Sequence, residues 1–269
     1  MGGVAARSIF ESPIDELIHP ELAIWKANVG QPVALDLSPE TPRRIDGLDI
    51  LSWNVAIGAG RLRRLLQLIR NGAFNGLGAD PIRPLLVLLQ EAYRADETVP
   101  ADTQPRFHGG ARHALVADDV VEVAHDLGMS LRYAPSMRNG VHRSDRGNAI
   151  LSTVPLGISH AFVLPYVRQR RVVISAEIAG LPDLFVMSAH LDVRGQPRPG
   201  RLIGALGAGR VVQATALLRH IGDDRQNHCI LIGADLNTQL GARDPVLRAL
   251  SAGGIEPAER TAQWRHTHH

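Results

Sequence analysis

Four apolar runs along the 269-residue chain each end in polar side chains, and this feature limits the possible folds more than any other. The runs and their terminal residues are LDILSWN with Asn54, LLVLLQE with Gln90 and Glu91, LFVMSAHLD with His190 and Asp192, and CILIGADLN with Asp235 and Asn237. Carboxylates, amides and imidazoles are costly in a strand core unless they are paired or bind something. Because ligand sites of α/β sheets form at the ends of neighbouring strands, we expect these side chains to converge.

The hydrophobic spacing elsewhere predicts alternating helices and strands. Helical periodicity is found in GRLRRLLQLIR, DDVVEVAHDLG, GRVVQATALLRHI and DPVLRALSAGG, and Gly128 is expected to end the second of these helices. Strand-like runs are SLRYAP, GNAILS, GISHAFVL, RRVVISAEI and LFVMSAHLD, with LPD as the turn between the last two. The unbroken apolar run LLVLL is typical of a strand buried on both faces. Strands that alternate with helices but also form hairpins indicate an α/β domain with mixed sheets.

Residues 1–45 differ from the rest because prolines interrupt them, so we interpret them as an extension without a catalytic role. Residues 46–269 are then expected to form the main domain, which carries all of the strand-end residues. The formal net charge of +2 is too small to indicate a nucleic-acid binder, but it is compatible with an anionic substrate. No signal peptide or apolar run of membrane-spanning length is evident, which predicts a cytoplasmic protein without stable membrane insertion. The single cysteine, Cys229, is expected to be a small buried hydrophobe.

The polar side chains at the strand ends are rich in oxygen. Carboxylates and carboxamides suit Mg²⁺ or Mn²⁺ far better than Zn²⁺. A zinc hydrolase built on the terminal histidines is disfavoured, because these histidines do not lie on a predicted helix with H-x-x-H or H-E-x-x-H spacing. The composition of the predicted site therefore indicates a hard divalent cation.

The segments SWNV, LLQE, RGNAILS, SAHLD and GADLN resemble, in order and spacing, the motifs of the endonuclease/exonuclease/phosphatase (DNase I-like) superfamily. The resemblance covers about residues 46–240. It implies a four-layered α-β-β-α sandwich of two mixed sheets flanked by helices. It also implies a phosphoester hydrolase that uses Mg²⁺ or Mn²⁺, such as a phosphodiesterase or an endonuclease.

The resemblance assigns a role to each strand-end residue. It implies that Asn54 and Glu91 bind the metal and that His190 donates to phosphate oxygens in the transition state. It further implies that Asp235 orients or deprotonates the attacking water and that Asn237 contacts the phosphate. Structural alternatives exist for each residue type: an isolated Asn often caps a turn, a strand-end Glu often lies on the surface, and a buried His is often only hydrogen bonded.

Three further residues are candidate substrate contacts. Asn148, in RGNAILS, resembles a substrate-side amide of the superfamily, although it is also compatible with a simple loop ending. Arg171 is the best candidate in the basic cluster RQRR, which is otherwise a solvated strand edge. Asp192 either lines the pocket or supports His190. The expected substrates are phosphoesters, namely nucleic acid, a phospholipid headgroup or a small phosphoester.

The C-terminal sequence departs from the superfamily pattern, which closes with a strand ending in Asp-His. This chain ends in ERTAQWRHTHH, so that strand is expected to be missing, and the terminal histidines are expected to form a loose tail. The departure motivates an alternative function, a catalytically weak protein that keeps the fold and binds a phosphate ligand.

Overall fold

The computed structural model describes residues 8–11, 19–38, 45–74, 83–101, 108–109, 117–193, 207–222, 228–238 and 241–258. The strands are β1 (Ser8–Glu11), β2 (Val33–Leu35), β3 (Asp49–Asn54), β4 (Leu85–Ala95), β5 (His108–Gly109), β6 (Ser130–Asn139), β7 (Ser144–Ser152), β8 (Leu156–Val163), β9 (Val172–Ile178), β10 (Leu181–His190) and β11 (Cys229–Asp235). The helices are α1 (Pro20–Ala27), α2 (Leu62–Arg70), α3 (Val120–Leu127), α4 (Ala208–His220) and α5 (Pro245–Ala252), with a 3-10 turn at Gly241–Arg243.

The strands form two mixed sheets. The five-stranded sheet has the order β1-β8-β9-β10-β11, and the six-stranded sheet has the order β2-β6-β7-β4-β3, with β5 paired to β6. In the first sheet β10 and β11 run parallel, while β9 is antiparallel to β8 and β10. In the second sheet β3 and β4 run parallel, whereas β7 is antiparallel to β4 and β6.

Strand β4 shows how the layers are built. Successive side chains of a strand point to opposite faces. Leu86 and Leu88 accordingly pack into the cluster between the two sheets, while Leu85, Val87 and Leu89 pack on the other face. The apolar run is therefore buried on both sides, as its sequence predicts. Each fully buried leucine contributes roughly 1.5–3 kcal/mol relative to an exposed one.

Helices cover the outer face of each sheet. The buried faces of α2 and α3 pack on the six-stranded sheet, and those of α4 and α5 pack on the five-stranded sheet. The order of layers is therefore α-β-β-α, which confirms the predicted fold class. Helix α3 begins and ends as expected, because the Asp119 side chain accepts from the backbone N–H groups of Val121 and Glu122 and Gly128 adopts the left-handed conformation.

Two details of the strands differ from the sequence interpretation. The turn between β9 and β10 lies at residues 179–180 rather than in LPD, since Gly180 supplies the positive φ of 85° that the turn requires. Cys229 is exposed rather than buried, because it is the first residue of β11, an outer strand of its sheet.

The segment before residue 46 contributes to both sheets. Strand β1 pairs with β8, and β2 pairs with β6. Between α1 and β2, Gly30 N–H donates to Asp145 at 2.8 Å, and Arg94 donates to the Gln31 carbonyl at 2.6 Å. Arg94 and Asp145 themselves form a buried ion pair, 2.5 Å between Nη2 and Oδ2. The described part of the predicted extension is thus anchored to the sandwich by strand pairing and by this ion pair.

No helix in the described portion of the chain is long and apolar enough to span a membrane.

Candidate active site

The two sheets meet at the carboxyl ends of β3, β10 and β11. Asn54 ends β3 in one sheet, and His190 and Asp235 are register partners at the ends of β10 and β11 in the other. The Asn54 amide Nδ2 donates to Asp235 Oδ2 at 2.7 Å, and its Oδ1 accepts from the backbone N–H of Ala56 at 3.0 Å. The structure therefore joins three of the predicted residues across the interface between the sheets.

Asn237 extends this cluster from the segment after β11. Its φ of 50° lies in the left-handed region, which Asn tolerates better than most residues. In this conformation its backbone N–H donates to Asp235 Oδ1 at 2.9 Å, and its side-chain Nδ2 lies 3.0 Å from His190 Nε2. Asn237 is consequently held against both catalytic candidates.

The Leu191 carbonyl determines the tautomer of His190. Asn237 Nδ2 donates to that carbonyl at 2.9 Å, so the amide nitrogen rather than the oxygen faces the imidazole. His190 Nε2 must then act as the acceptor, and the ring proton resides on Nδ1. The donor that this tautomer offers is Nδ1–H, so the predicted donation from His190 to phosphate rests on that atom.

Burial and neighbouring charges determine the protonation states of the His190 imidazole and the Asp235 carboxyl group. Burial lowers the pKa of His190 to about 3, and the positive charge of Arg171 adds to this effect against the opposing Asp235 carboxylate. Burial alone raises the pKa of Asp235, but His190 and hydrogen bonds from Asn54 and the Asn237 N–H bring it below its usual value. At neutral pH the pair is therefore a neutral imidazole beside a carboxylate.

Glu91 lies at a break in strand regularity. The register between β4 and β7 shifts between Leu89 and Ala92, and Glu91 adopts a φ of 54° in the left-handed region. Bulges of this kind re-aim side chains beside active sites. Because Asn54 pairs in register with Gln90, the next residue, Glu91, emerges beside the end of β3.

Two buried arginines interact electrostatically with Glu91. Arg146 lies in β7 and Arg171 immediately before β9, with 5% and 3% of their surfaces exposed. Burial lowers the pKa of each guanidinium, and the negative charge of Glu91 opposes that effect in both. Arg146 was not assigned a role from the sequence. The available signal was its spacing of two residues from Asn148, which places both side chains on one face of β7.

Each arginine has one terminal nitrogen engaged by a neighbouring amide. Arg146 Nη1 donates to Asn139 Oδ1 at 3.0 Å, and Arg171 Nη2 donates to Gln169 Oε1 at 2.8 Å. The other terminal nitrogens, Nη2 of Arg146 and Nη1 of Arg171, make no hydrogen bond to any described residue. As far as the described residues go, these two N–H groups are available to an anionic ligand.

The basic cluster RQRR is divided by the fold. Arg171 interacts electrostatically with Glu91 and Asp235. Arg170 is buried and donates to the carbonyls of Pro135 and Ser136, at 2.7 and 3.3 Å. Arg168 is exposed. Arg171, the arginine singled out from the sequence, therefore lies close to two other candidate site residues.

Asn148 and Asp192 are both committed to protein contacts. Asn148 Nδ2 donates to the Val172 carbonyl at 2.5 Å and lies 3.3 Å from the Ser188 carbonyl, so it ties β7 to the opposite sheet. Asp192 is fully buried, and its carboxylate accepts backbone N–H groups of the segment that leads to Arg171. The substrate contacts predicted for both residues remain predictions.

The donor set at Asn54 and Glu91 fits a hard cation that keeps several water ligands. Among the described residues no group of three or more His, Cys, Asp or Glu side chains forms a metal cage. Mg²⁺, however, is usually bound by one or two carboxylates together with waters and substrate oxygens. The Glu91 carboxylate accepts no hydrogen bond within the described ranges, which leaves its oxygens available for such an ion. The terminal residues His266, His268 and His269 lie outside the described residues.

No family model matches the chain, and no curated protein matches it. Several solved structures do. An endonuclease/exonuclease/phosphatase from Beutenbergia cavernae DSM 12333 shares 19% identity at a TM-score of 0.45, and the match covers 71% of this chain but only 48% of that one. The chain thus spans about half the length of that structure.

Two further structures have similar scores. An endonuclease/exonuclease/phosphatase family protein from Leptotrichia buccalis C-1013-b has 13% identity, a TM-score of 0.43 and coverage of 77% of this chain and 71% of that chain. ANGEL2, described as a 2',3'-cyclic phosphatase, has 14% identity, a TM-score of 0.43 and coverage of 82% and 62%. The names of the first two are those of the superfamily that the sequence motifs resemble.

Proposed function

We propose that this chain is a metal-dependent phosphoester hydrolase of the phosphodiesterase type. The observation that carries the proposal is the hydrogen-bonded group of Asn54, Asp235, Asn237 and His190, which lies beside an available carboxylate and two buried cations. A group that combines fixed negative and positive charges in a partly buried place is suited to a charged reaction centre.

The arginines supply the charge complement for a phosphate group. Phosphate oxygens favour guanidinium groups, which offer planar, permanently charged N–H donors. Arg146 and Arg171 each present one terminal nitrogen that is not engaged by a described residue. Both lie close enough to Glu91 to be affected by its charge. A phosphoester held here therefore lies between cationic donors and the candidate metal ligand.

Asn54 and Glu91 are the residues that would hold Mg²⁺ or Mn²⁺. Such an ion, when bound, neutralises charge on a phosphate oxygen and helps to orient the substrate. Asn54 can take part without losing its link to Asp235, because Nδ2 makes that hydrogen bond while Oδ1 keeps a second lone pair. The amide thus fixes the position of Asp235 relative to the metal ligand.

Asp235 is the residue we assign to the attacking water. Its carboxylate is ionised at neutral pH and is held in place by Asn54 and by the Asn237 N–H. One carboxylate oxygen can therefore accept a proton from the water, which directs the lone pair of the water at phosphorus. His190 contributes Nδ1–H as a donor to a phosphate oxygen. The phosphate contact predicted for Asn237 remains a prediction, because both hydrogens of its amide already face His190 Nε2 and the Leu191 carbonyl.

Asn148 can make fewer kinds of contact with a substrate than the resemblance implies. Its two amide hydrogens already face the Val172 and Ser188 carbonyls, so the atom left for substrate is Oδ1, which only accepts hydrogen bonds. A hydroxyl of the group attached to the phosphate, such as a sugar hydroxyl, would satisfy it, whereas a phosphate oxygen would not. Ribonucleic acids, inositol headgroups and many small phosphoesters carry such a hydroxyl, whereas the internal sugars of DNA do not.

The decisive experiment compares hydrolysis of bis-p-nitrophenyl phosphate by the wild type and Glu91→Ala with Mg²⁺, with Mn²⁺ and after chelation. We expect activity in the wild type only with metal, and a loss of at least a hundredfold in the variant, as removal of a key electrostatic partner usually produces. Asp183→Ala is the matched control, because this exposed carboxylate lies near the start of the same strand that ends at His190.

Equal rates of diester hydrolysis for the wild type and Glu91→Ala would refute the proposed hydrolase activity. If the wild type binds orthophosphate but hydrolyses neither this diester nor a panel of abasic DNA, plasmid DNA, sphingomyelin and inositol phosphates, the chain is the catalytically weak phosphate-binding protein that the sequence offers as the alternative.

A further inference from the structure

The geometry points to Asp192 and Gln213 as positioning residues that hold Arg171 at the candidate site, rather than as substrate contacts. Gln213 lies on α4, outside the strand-end cluster, and nothing in its sequence context marks it. Both side chains are essentially inaccessible to solvent. The inference rests on the proposed function in so far as Arg171 is taken to bind the phosphate.

The Asp192 carboxylate organises the segment that leads into Arg171. Its Oδ2 accepts the backbone N–H groups of Arg168 and Gln169, at 2.8 and 2.9 Å. Its Oδ1 accepts the N–H of Val193 at 2.9 Å and lies 3.7 Å from Arg171 Nε. With both oxygens engaged in the protein, this carboxylate is poorly placed to bind substrate directly.

Gln169 adds a second tether to the same guanidinium. Its backbone is fixed by Asp192, and its side-chain Oε1 accepts from Arg171 Nη2 at 2.8 Å. Asp192 therefore acts on Arg171 in two ways, through its charge at Nε and through the placement of Gln169. Nε makes an ion-pair contact with Asp192 but no hydrogen bond, and Nη1 has no partner among the described residues, so the two tethers give the Nη1 N–H a defined direction.

Gln213 joins this arrangement to the helix layer. Its Oε1 accepts the backbone N–H of Asp192 at 2.8 Å, and its Nε2 donates to the Pro165 carbonyl at 3.0 Å. One side chain thus connects the end of β10 to the beginning of the segment that carries Arg171. A shift of α4 would move both ends of that connection together.

The test measures binding of inorganic orthophosphate by titration calorimetry, without metal or substrate, in the wild type, Asp192→Asn, Arg171→Ala and the double variant. Asparagine keeps the size of the side chain but replaces one acceptor oxygen with a donor, which opposes either the Arg168 and Gln169 N–H groups or Arg171 Nε. We expect each single variant to weaken the phosphate affinity about tenfold, the effect of one charged hydrogen bond.

The double variant separates positioning from other roles. If Asp192 acts through Arg171, the double variant binds phosphate no more weakly than Arg171→Ala alone. Gln213→Leu removes the hydrogen bonds to the Asp192 N–H and to the Pro165 carbonyl, and we expect it to weaken phosphate binding about threefold. This variant provides the same test if Asp192→Asn folds poorly. Arg168→Ala is the matched control, since this exposed arginine contributes only its backbone N–H, and it should stay within twofold of the wild type.

Thermal unfolding of every variant identifies a purely structural effect. The inference is overturned if Asp192→Asn lowers the melting temperature but leaves phosphate affinity unchanged, if the losses in the double variant add, or if the wild type binds no phosphate. A wild type that binds phosphate with this pattern but hydrolyses no diester removes the proposed activity and leaves the positioning roles in place.

Discussion

Asn54 and Asp235, 181 positions apart, are joined by a 2.7 Å hydrogen bond that crosses from one sheet of the sandwich to the other. The donor is an amide at the end of β3, and the acceptor is a carboxylate at the end of β11. The contact couples the candidate metal ligand to the candidate water-positioning residue. Its contribution can therefore be measured separately from that of either side chain.

Asn54→Ala should reduce kcat for bis-p-nitrophenyl phosphate at saturating Mg²⁺ by ten- to a hundredfold. A hydrogen bond to a charged group contributes about 1.5–3 kcal/mol, and about 1.4 kcal/mol corresponds to a factor of ten in rate. In an Asp235→Asn background the same substitution should cost less than threefold, because the charged acceptor is already gone. Fully additive losses in this double-mutant cycle would show that the two residues act independently.

Glu91→Gly should separate stability from activity. Glu91 adopts a positive φ of 54°, which is strained for any residue with a Cβ. We expect Glu91→Gly to be more stable to urea than Glu91→Ala by about 1 kcal/mol, since only glycine relieves the strain. Both variants should lose metal-dependent hydrolysis equally, because both lack the carboxylate. Equal stability of the two variants would mean that the left-handed backbone carries no cost.

Gly233→Ala should destabilise the sandwich by about 1–3 kcal/mol, the usual cost of overpacking a dense core. A Cβ at this position would lie 2.7 Å from Leu88 Cβ and 2.7 Å from Ser52 Oγ, both in the facing sheet. The measurement is urea unfolding with Gly47→Ala as control, since a Cβ there meets only Arg83 Nε, at 3.8 Å. An unchanged unfolding midpoint for Gly233→Ala would contradict the close approach of the sheets.

The sequence predicted those features of the fold that depend on local chemistry. Helix α3 was bounded correctly because an Asp cap and a terminal glycine act on neighbouring residues. The both-face burial of β4 followed from its unbroken apolar run. The strand ends converged because parallel neighbours β10 and β11 bring His190 and Asp235 into register.

Features that depend on distant partners could not be predicted from the sequence. The motif SAHLD did not reveal that the Asp192 carboxylate accepts the backbone N–H groups of Arg168 and Gln169. Arg146 was given no role from the sequence, because its proximity to Glu91 follows from the pairing of β4 with β7. Gln213 has no sequence signal at all, since a buried helical glutamine is informative only when its two partners are known.

The outer strands formed by the early part of the chain bear on how the protein reaches this structure. β1 pairs with β8, beginning at Ser8 and Ser159, so its partner is synthesised only after more than half of the chain. In the same way, β2 can pair only after β6 has been synthesised. Contacts so distant along the chain form slowly, because loop closure must precede them. During translation the backbone N–H and C=O groups of these two segments therefore lack their strand partners. A chaperone that shields the segments should raise the yield of native protein.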